Sequence, residues 1–275
     1  MAVVVVIGVG GMGEQIARRL GAGREVLLAD FNTATLKRVA ETLTGEGFTV
    51  RTEQVDVSDR ASMAALADAA AALGPVVQVA HTAGLSPMQA PTAAILRVDL
   101  VGVAYFLEEF GRVIAPGGAG VVIASMAGSM AAGAFPAELE GALAATGAGE
   151  LLSLPFLAAI DDPGAAYALA KRANQVRVQA ASLAWGARGA RINSISPGVI
   201  ATPMGQEELA GDSGAAMRAM IAASGTGRTG TATDIASAAA FLLGPDATFV
   251  TGTDLLVDGG VVAAVRSGAL TATPR

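Results

Sequence analysis

Ala2-Val3-Val4-Val5-Val6-Ile7-Gly8-Val9-Gly10-Gly11-Met12-Gly13 begins as an unbroken apolar run and ends in a cluster of glycines. The run has the length and β-branched content of a strand covered on both faces. Residues 14–20 read as a helix, so the glycines stand at a strand-to-helix turn, the context in which G-x-G-x-x-G acquires a physical meaning. Gly8 and Gly10 let the turn tighten and let backbone approach a pyrophosphate. Gly11 and Met12 lead into the helix whose N–H groups aim at the phosphates, and Gly13 lets that helix pack close. Taken alone, the motif also fits a flexible glycine turn. Asp30 bears on that choice, because it ends the next apolar run, 20 residues after Gly10. At that distance a carboxylate accepts hydrogen bonds from the ribose hydroxyls of an adenine dinucleotide and repels a 2′-phosphate. Its other use is to cap the following helix.

Outward from this turn, short β-branched runs alternate with alanine-rich stretches. Residues 2–7, 25–29, 49–55, 76–80, 120–124, 191–195 and 254–257 read as strands, and 14–20, 33–43, 60–73, 94–114, 165–185 and 234–243 as helices. Alternating βα units with right-handed crossovers predict an α/β fold. It is a Rossmann-like, doubly wound parallel sheet of about seven strands flanked by helices, with ligands at the carboxyl ends of the strands. The chain reads as one domain, residues 1–275, carrying an Ala/Gly/Leu-rich insertion at 129–164 and a substrate-bordering loop at 203–225.

Hydrophobic residues make up 52% of the sequence and charged residues 15%, ample for a sheet buried on both faces. The net charge of -6 comes without a basic run, so the footprint of a nucleic-acid binder is missing. The absence of cysteine excludes disulfides, thiolate catalysis and Cys-based metal sites, and with His81 the sole histidine no metal is expected. No apolar run reaches the roughly 18 residues of a spanning helix, so no membrane association is expected, and the location expected is cytoplasmic.

Tyr167-Ala168-Leu169-Ala170-Lys171 puts a phenol and an ammonium on one helix face. An ordinary tyrosine ionises near pH 10, too high for proton exchange at neutrality, and an adjacent cation lowers that value. The same spacing also occurs in purely structural pairs on helix surfaces. Asp56, at the end of the third strand, is placed to face an adenine edge, while Asp56-Val57-Ser58-Asp59 reads equally as a turn and helix cap.

Read in order, these features resemble the short-chain dehydrogenase/reductase family over nearly the whole chain. Tyr167 and Lys171 match its Y-x-x-x-K. Ser125, after Val121-Val122-Ile123-Ala124, matches its substrate-orienting serine, and Pro197-Gly198-Val199-Ile200-Ala201-Thr202 matches its P-G-x-x-x-T stretch. Arg228 and Val257-Asp258-Gly259-Gly260 complete the pattern. The resemblance implies an NAD-dependent oxidoreductase interconverting a secondary alcohol and a ketone. Its catalytic residues would be Ser125 (substrate oxygen), Tyr167 (general acid in reduction) and Lys171 (tuning Tyr167 and binding the nicotinamide ribose). The implied NAD-binding residues are Gly8, Gly10, Gly11, Met12, Gly13, Asp30, Phe31, Asp56, Val57, Ala83, Gly84, Tyr167, Lys171, Pro197, Gly198, Ile200 and Thr202. An NAD-retaining epimerase or dehydratase of the same fold, or a non-catalytic dinucleotide sensor, are the alternatives.

Four departures stand out. The glycine loop is one residue shorter than the family's T-G-x-x-x-G-x-G. His81 stands where N-N-A-G begins and reads as a structural strand-end residue. Asp99 replaces an asparagine whose backbone carbonyl, in many members, helps hold a water of the proton relay. Ser125 and Tyr167 are 42 apart, far more than is usual. An insertion there occurs in the bacterial 3α-hydroxysteroid dehydrogenase/carbonyl reductase type, the nearest resemblance within the family. Residues 85–91, 129–164 and 203–225 are the expected specificity segments. Met130, Phe135, Leu151, Leu152, Leu154, Phe156, Met204, Met217 and Met220 suit a hydrophobic substrate or, equally, pack the loops onto the body. The insertion emerges beside the helix starting near Ala165, which in the family often builds a subunit contact. A homo-oligomer, dimer or tetramer, is expected.

Overall fold

Every residue of β1 (Val3–Ile7) is buried, as a strand with neighbours on both sides and helices on both faces requires. In the computed structural model, which describes residues 1–88 and 90–268, the chain continues through α1 (Gly11–Leu20), β2 (Glu25–Asp30), α2 (Thr33–Gly45), β3 (Thr49–Gln54), α3 (Arg60–Leu73) and β4 (Val76–His81). Then follow α4 (Thr92–Ile95), a π-helical turn (Leu96–Val101), α5 (Gly102–Val113) and β5 (Ile114–Ile123). The remainder is α6 (Met126–Met130), α7 (Ala137–Ala145), α8 (Pro163–Ala187), β6 (Arg191–Pro197), α9 (Pro203–Ala210), α10 (Gly214–Ala223), α11 (Ala232–Leu243), β7 (Asp254–Val257) and α12 (Val261–Arg266).

The seven strands form one sheet in the order β3-β2-β1-β4-β5-β6-β7, with every pair parallel. The fold is the expected doubly wound sheet, and its order reverses between β1 and β4, where such sheets bind ligands. One face is filled by Met63, Phe106, Phe110 and Trp185 under α3, α5 and α8, the other by Ile16, Val39 and Leu242 under α1, α2 and α11.

Two elements differ from expectation. The fifth strand begins at Ile114 rather than 120, because Val76 pairs with Ile114 and Gln78 with Ala119; the extra residues around Pro116 and Gly117 form a bulge. The helix expected at 94–114 runs from Thr92 to Val113 and widens into the π-helical turn, which local propensity does not encode.

The insertion folds onto the outer face of α8 and the α4–α5 helix. It contributes α7 and two 3₁₀ turns, Ala148–Ser153 and Pro155–Ala159. Leu143, Leu151 and Leu157 are buried in a third cluster with Ile95, Leu100, Leu169 and Val176, at about 2 kcal/mol of transfer free energy each. Arg177 of α8 donates to the carbonyls of Leu143 (2.7 Å) and Thr146 (2.8 Å), and Arg172 forks onto Glu140 at 2.6 and 2.9 Å. Most of the insertion's large apolar residues therefore pack the loop onto the body, Phe135, Leu154 and Phe156 among them, while Leu152 stays exposed. Segment 203–225 is mostly helical, as α9 and α10. Of residues 85–91, Gln89 lies outside the described residues. No helix among the described residues is long and apolar enough to cross a membrane.

Candidate active site

The glycine turn is built as its residue types demand. Gly8 has φ +87°, a left-handed conformation, and a Cβ there would lie 2.4 Å from the Ala83 nitrogen. A Cβ at Gly13 would fall 1.9 Å from the Gly8 carbonyl oxygen. The turn is thus locked between β1, α1 and the segment after β4. No side chain caps α1, whose N-terminus opens on a cleft of about 550 Å³.

That cleft is lined by Gly8, Gly10, Gly11, Met12, Asp30, Phe31, Asp56, Val57, Ala83, Gly84 and Thr202, all anticipated from sequence. Asp30 accepts from the Val9 N–H and the Asn32 N–H, both at 2.8 Å, tying the glycine turn to the end of β2. Each carboxylate oxygen keeps a lone pair for a ligand hydroxyl. Asp30 is not the cap of α2; Asn32 is, accepting from Ala34 and Thr35 at 3.0 Å. Asp56 accepts from the Ser58 N–H and hydroxyl at 2.9 and 2.7 Å, and Asp59 caps α3. No lysine or arginine lines this cleft among the described residues. The cradle fits a dinucleotide: open helix N-terminus, close backbone approach at glycine, carboxylate at the far end.

A second cleft of about 170 Å³ adjoins the first through Met12, Thr82, Gly84, Leu85, Thr202 and Met204. Ser125, Tyr167, Lys171, Pro197, Gly198 and Ile200 line it, so the three predicted catalytic residues meet at one place. Gly13 alone of the predicted set lines neither cleft; its contribution is the close packing just described. Ser125 leaves β5 in extended conformation and accepts from the Ala127 N–H at 3.1 Å, and its hydroxyl acts to lower the Tyr167 pKa. Lys171 Nζ lies 5.4 Å from the Tyr167 ring centroid and donates to the Ile123 carbonyl at 3.3 Å.

The electrostatics correct one expectation. Burial pushes the Tyr167 phenol above its ordinary value; the Lys171 ammonium pulls it down as anticipated, but the Asp99 carboxylate works the other way and the net direction is up. Asp99 is fully buried in the π-helical turn, its Oδ1 accepting from the Leu85 N–H at 2.8 Å and its Oδ2 lying 3.3 Å from Lys171 Nζ. Burial raises the Asp99 carboxyl against the pull of Lys171. Burial also opposes the Lys171 charge, but Asp99 and Tyr167 outweigh it and the ammonium is held more firmly than usual. It is the Asp99 side chain that meets Lys171.

His81 is structural, as expected: fully buried, 5.0 Å from the Phe106 ring, with neither nitrogen bonded to another side chain or backbone group among the described residues. Burial, with Lys171 nearby, brings its pKa down to about 3. Arg228 pairs with Asp234 at 2.9 Å, and Asp258 accepts from Gly260 and Val262 at 2.8 and 2.7 Å.

Sequence reasoning missed Thr82, which lines both clefts, and did not single out Glu208, half-buried beside Met204 and Met217; Leu85, which also lines both clefts, begins the expected specificity segment 85–91. Thr82 was reachable, because it precedes the predicted Ala83 and Gly84. Glu208 carried no signal, since an acidic residue in a helical stretch looks like solvated surface.

Comparison with known proteins agrees with this geometry. The short chain dehydrogenase model matches residues 2–137, and the enoyl-(acyl carrier protein) reductase model matches residues 137–262. A short-chain dehydrogenase/reductase of Alternaria brassicicola is 43% identical over 94% of this chain and 95% of its own. A 3α-hydroxysteroid dehydrogenase/carbonyl reductase of Comamonas testosteroni is 31% identical over 67% of this chain and 72% of its own. A solved short-chain dehydrogenase/reductase from Mycobacterium ulcerans superposes with a TM-score of 0.76 at 25% identity, covering 95% of this chain and 90% of the other. With the sheet order, the glycine turn and the Ser125–Tyr167–Lys171 constellation all in place, the chain belongs to the short-chain dehydrogenase/reductase family, oxidoreductases that work with a nicotinamide cofactor.

Proposed function

We propose that the protein is an NAD(H)-linked oxidoreductase that interconverts a secondary alcohol and a ketone. The observation that carries this reading is the meeting of Ser125, Tyr167 and Lys171 in one cleft that opens into another holding Asp30 and, among the described residues, no cation. When bound, the nicotinamide supplies or accepts the hydride. The chain's own residues handle the oxygen. Ser125 and Tyr167 present two hydroxyl donors to a carbonyl oxygen as charge develops on it, and Tyr167 gives up its proton. Lys171 holds a positive charge beside the resulting phenolate. The Asp30 carboxylate, lacking a local cation to offset it, disfavours a 2′-phosphate and so favours NAD over NADP.

The substrate's body lies against Met126, Val199, Met204 and Met217, which suits an apolar molecule, with Glu208 the one acidic group in the lining among the described residues. The molecule acts as a homodimer, supported by the exposed apolar residues Leu183, Phe241 and Phe249.

The test is steady-state turnover on a panel of ketones and secondary alcohols with either cofactor, followed by cofactor absorbance, in wild type and Tyr167→Phe. Turnover with NADH that drops about 10²–10⁴-fold in the variant is expected. Undiminished turnover in Tyr167→Phe removes the mechanism.

A further inference from the structure

Lys171 does not face the cleft with a free charge. Its ammonium, 5% exposed, lies 3.3 Å from Asp99 Oδ2, and that carboxylate has no exposure at all. The pair is held from three sides. The π-helical turn sets Asp99 in the middle of a helix. The Leu85 N–H fixes the other carboxylate oxygen at 2.8 Å. Gly84 lies so close that a Cβ on it would be 3.2 Å from Lys171 Nζ and 3.4 Å from Asp99 Oδ2. Gly84 and Leu85 line both clefts, so the pair stands at the wall between the candidate cofactor and substrate spaces.

A buried ion pair contributes little net stability, because desolvating two charges offsets most of their attraction. Its consequence here is electrostatic. The charged groups that face Asp99 or Tyr167 are Lys171 on α8, which is paired, and Glu208 on α9, whose charge also acts on Tyr167. His81 on β4 is neutral. Arg97 in the π-helical turn and Glu150 in the 3₁₀ turn packed on it are exposed to solvent. A phenolate at Tyr167 would therefore share one cation with a carboxylate already in contact with it.

We propose that Asp99 is a positioning residue that clamps Lys171 against Gly84 and Leu85 and takes up its charge, so that Tyr167 rests as the protonated phenol and the site is poised for ketone reduction. In that direction the carbonyl carbon gains a hydride and its oxygen gains the Tyr167 proton, leaving a phenolate that must be reprotonated from solvent before the next turnover. In oxidation the phenolate has to form first, beside Asp99. The inference rests on Tyr167 being the proton donor of the proposed function.

The test reads the phenol directly. The chain has two tyrosines, Tyr105 and Tyr167, and a single tryptophan, Trp185. The tyrosinate absorbance of wild type minus that of Tyr167→Phe isolates Tyr167, and the fluorescence of the buried Trp185 reports when alkali unfolds the chain. Tyr167 is expected to stay protonated past the ordinary midpoint of about 10, or until unfolding; a midpoint below that value in wild type overturns the proposal. In Asp99→Asn, which keeps an acceptor for the Leu85 N–H, the midpoint and the alkaline limb of reductive kcat/KM should both fall by about one pH unit. Alcohol oxidation at neutral pH should rise several-fold relative to reduction. A folded Asp99→Asn with an unmoved pH profile also overturns it. If that variant does not fold, the wild-type titration decides. An inactive wild type sinks the functional reading but leaves the titration readable, so the two failures are distinguishable.

Discussion

Asp30 holds two backbone N–H groups as well as facing the cleft, so removing its carboxylate acts twice. The glycine turn loses its tie to β2 through Val9, and a bound ribose loses its acceptor. Asp30→Ala should lower kcat/KM with NAD by about 10–100-fold, the scale of one charged hydrogen bond, while the ratio of NADP to NAD efficiency rises as the repulsion disappears. Measuring both cofactors in wild type and variant checks this; an unchanged ratio means the carboxylate serves only the turn. His81 gives a pH signature. Its folded pKa of about 3 lies far below the ordinary 6.5 of an unfolded chain, so the unfolded state binds the proton first. Its contribution is intact above pH 6.5 and is lost as pH falls from there toward 3, at about 1 kcal/mol per pH unit. Urea unfolding at pH 7 and pH 5 should show wild type losing more stability than His81→Leu by roughly that slope. Individual roles at this scale were readable because each residue sits in a turn or strand end whose chemistry restricts it: glycine at positive φ, serine after β5, the i,i+4 pair. The partner of Lys171 was not readable, since the sequence shows an aspartate at 99 without showing which way its side chain turns.

That direction is decided by an element. The π-helical turn Leu96–Val101 carries one more residue per turn than the α-helices flanking it, and Asp99 lies within the widened turn. The insertion is the second element whose use had to be seen. Its composition marked it as foreign between β5 and α8, but Leu143, Leu151 and Leu157 follow no helical or strand period because they come from one helix and two 3₁₀ turns. Arg177 is the pin. Its side chain is largely buried and serves two carbonyls of the insertion, so Arg177→Leu should cost about 2–3 kcal/mol by losing charged hydrogen bonds. Hydrogen exchange should quicken in α7 while β5 and β6 keep their protection. Equal protection in α7 would mean that the apolar contacts alone hold the segment down.

The two edges of the sheet are guarded differently. β3 is lined by exposed Arg51, Thr52, Glu53 and Gln54, charges and polar groups that discourage another strand from pairing. β7 offers Leu255 and Leu256 without such protection, and two large apolar side chains stand in solvent, Phe249, wholly exposed and just ahead of β7 in the chain, and Leu183 of α8, 82% exposed. The opposite candidate contact, the outer face of α4–α5 and α8, is already covered by the insertion. Light scattering at micromolar concentration should therefore give a dimer, and Phe249→Glu should shift it toward monomer without loss of fold. A wild-type monomer contradicts the assignment.

The position of β1 at the centre of the sheet also sets an order of events during synthesis. β1 pairs early with β2, in the register Val3 to Glu25, but its other edge waits for β4 and residues 76–81. Between those moments the most apolar strand in the chain presents an open flank. Such long-range parallel pairing is slow, and the nascent chain carries an adhesive surface for longer than a protein built of local hairpins would. Refolding yield should fall with protein concentration for that reason, and holdase chaperones that shield residues 3–7 would act before the α4–α5 helix has been made.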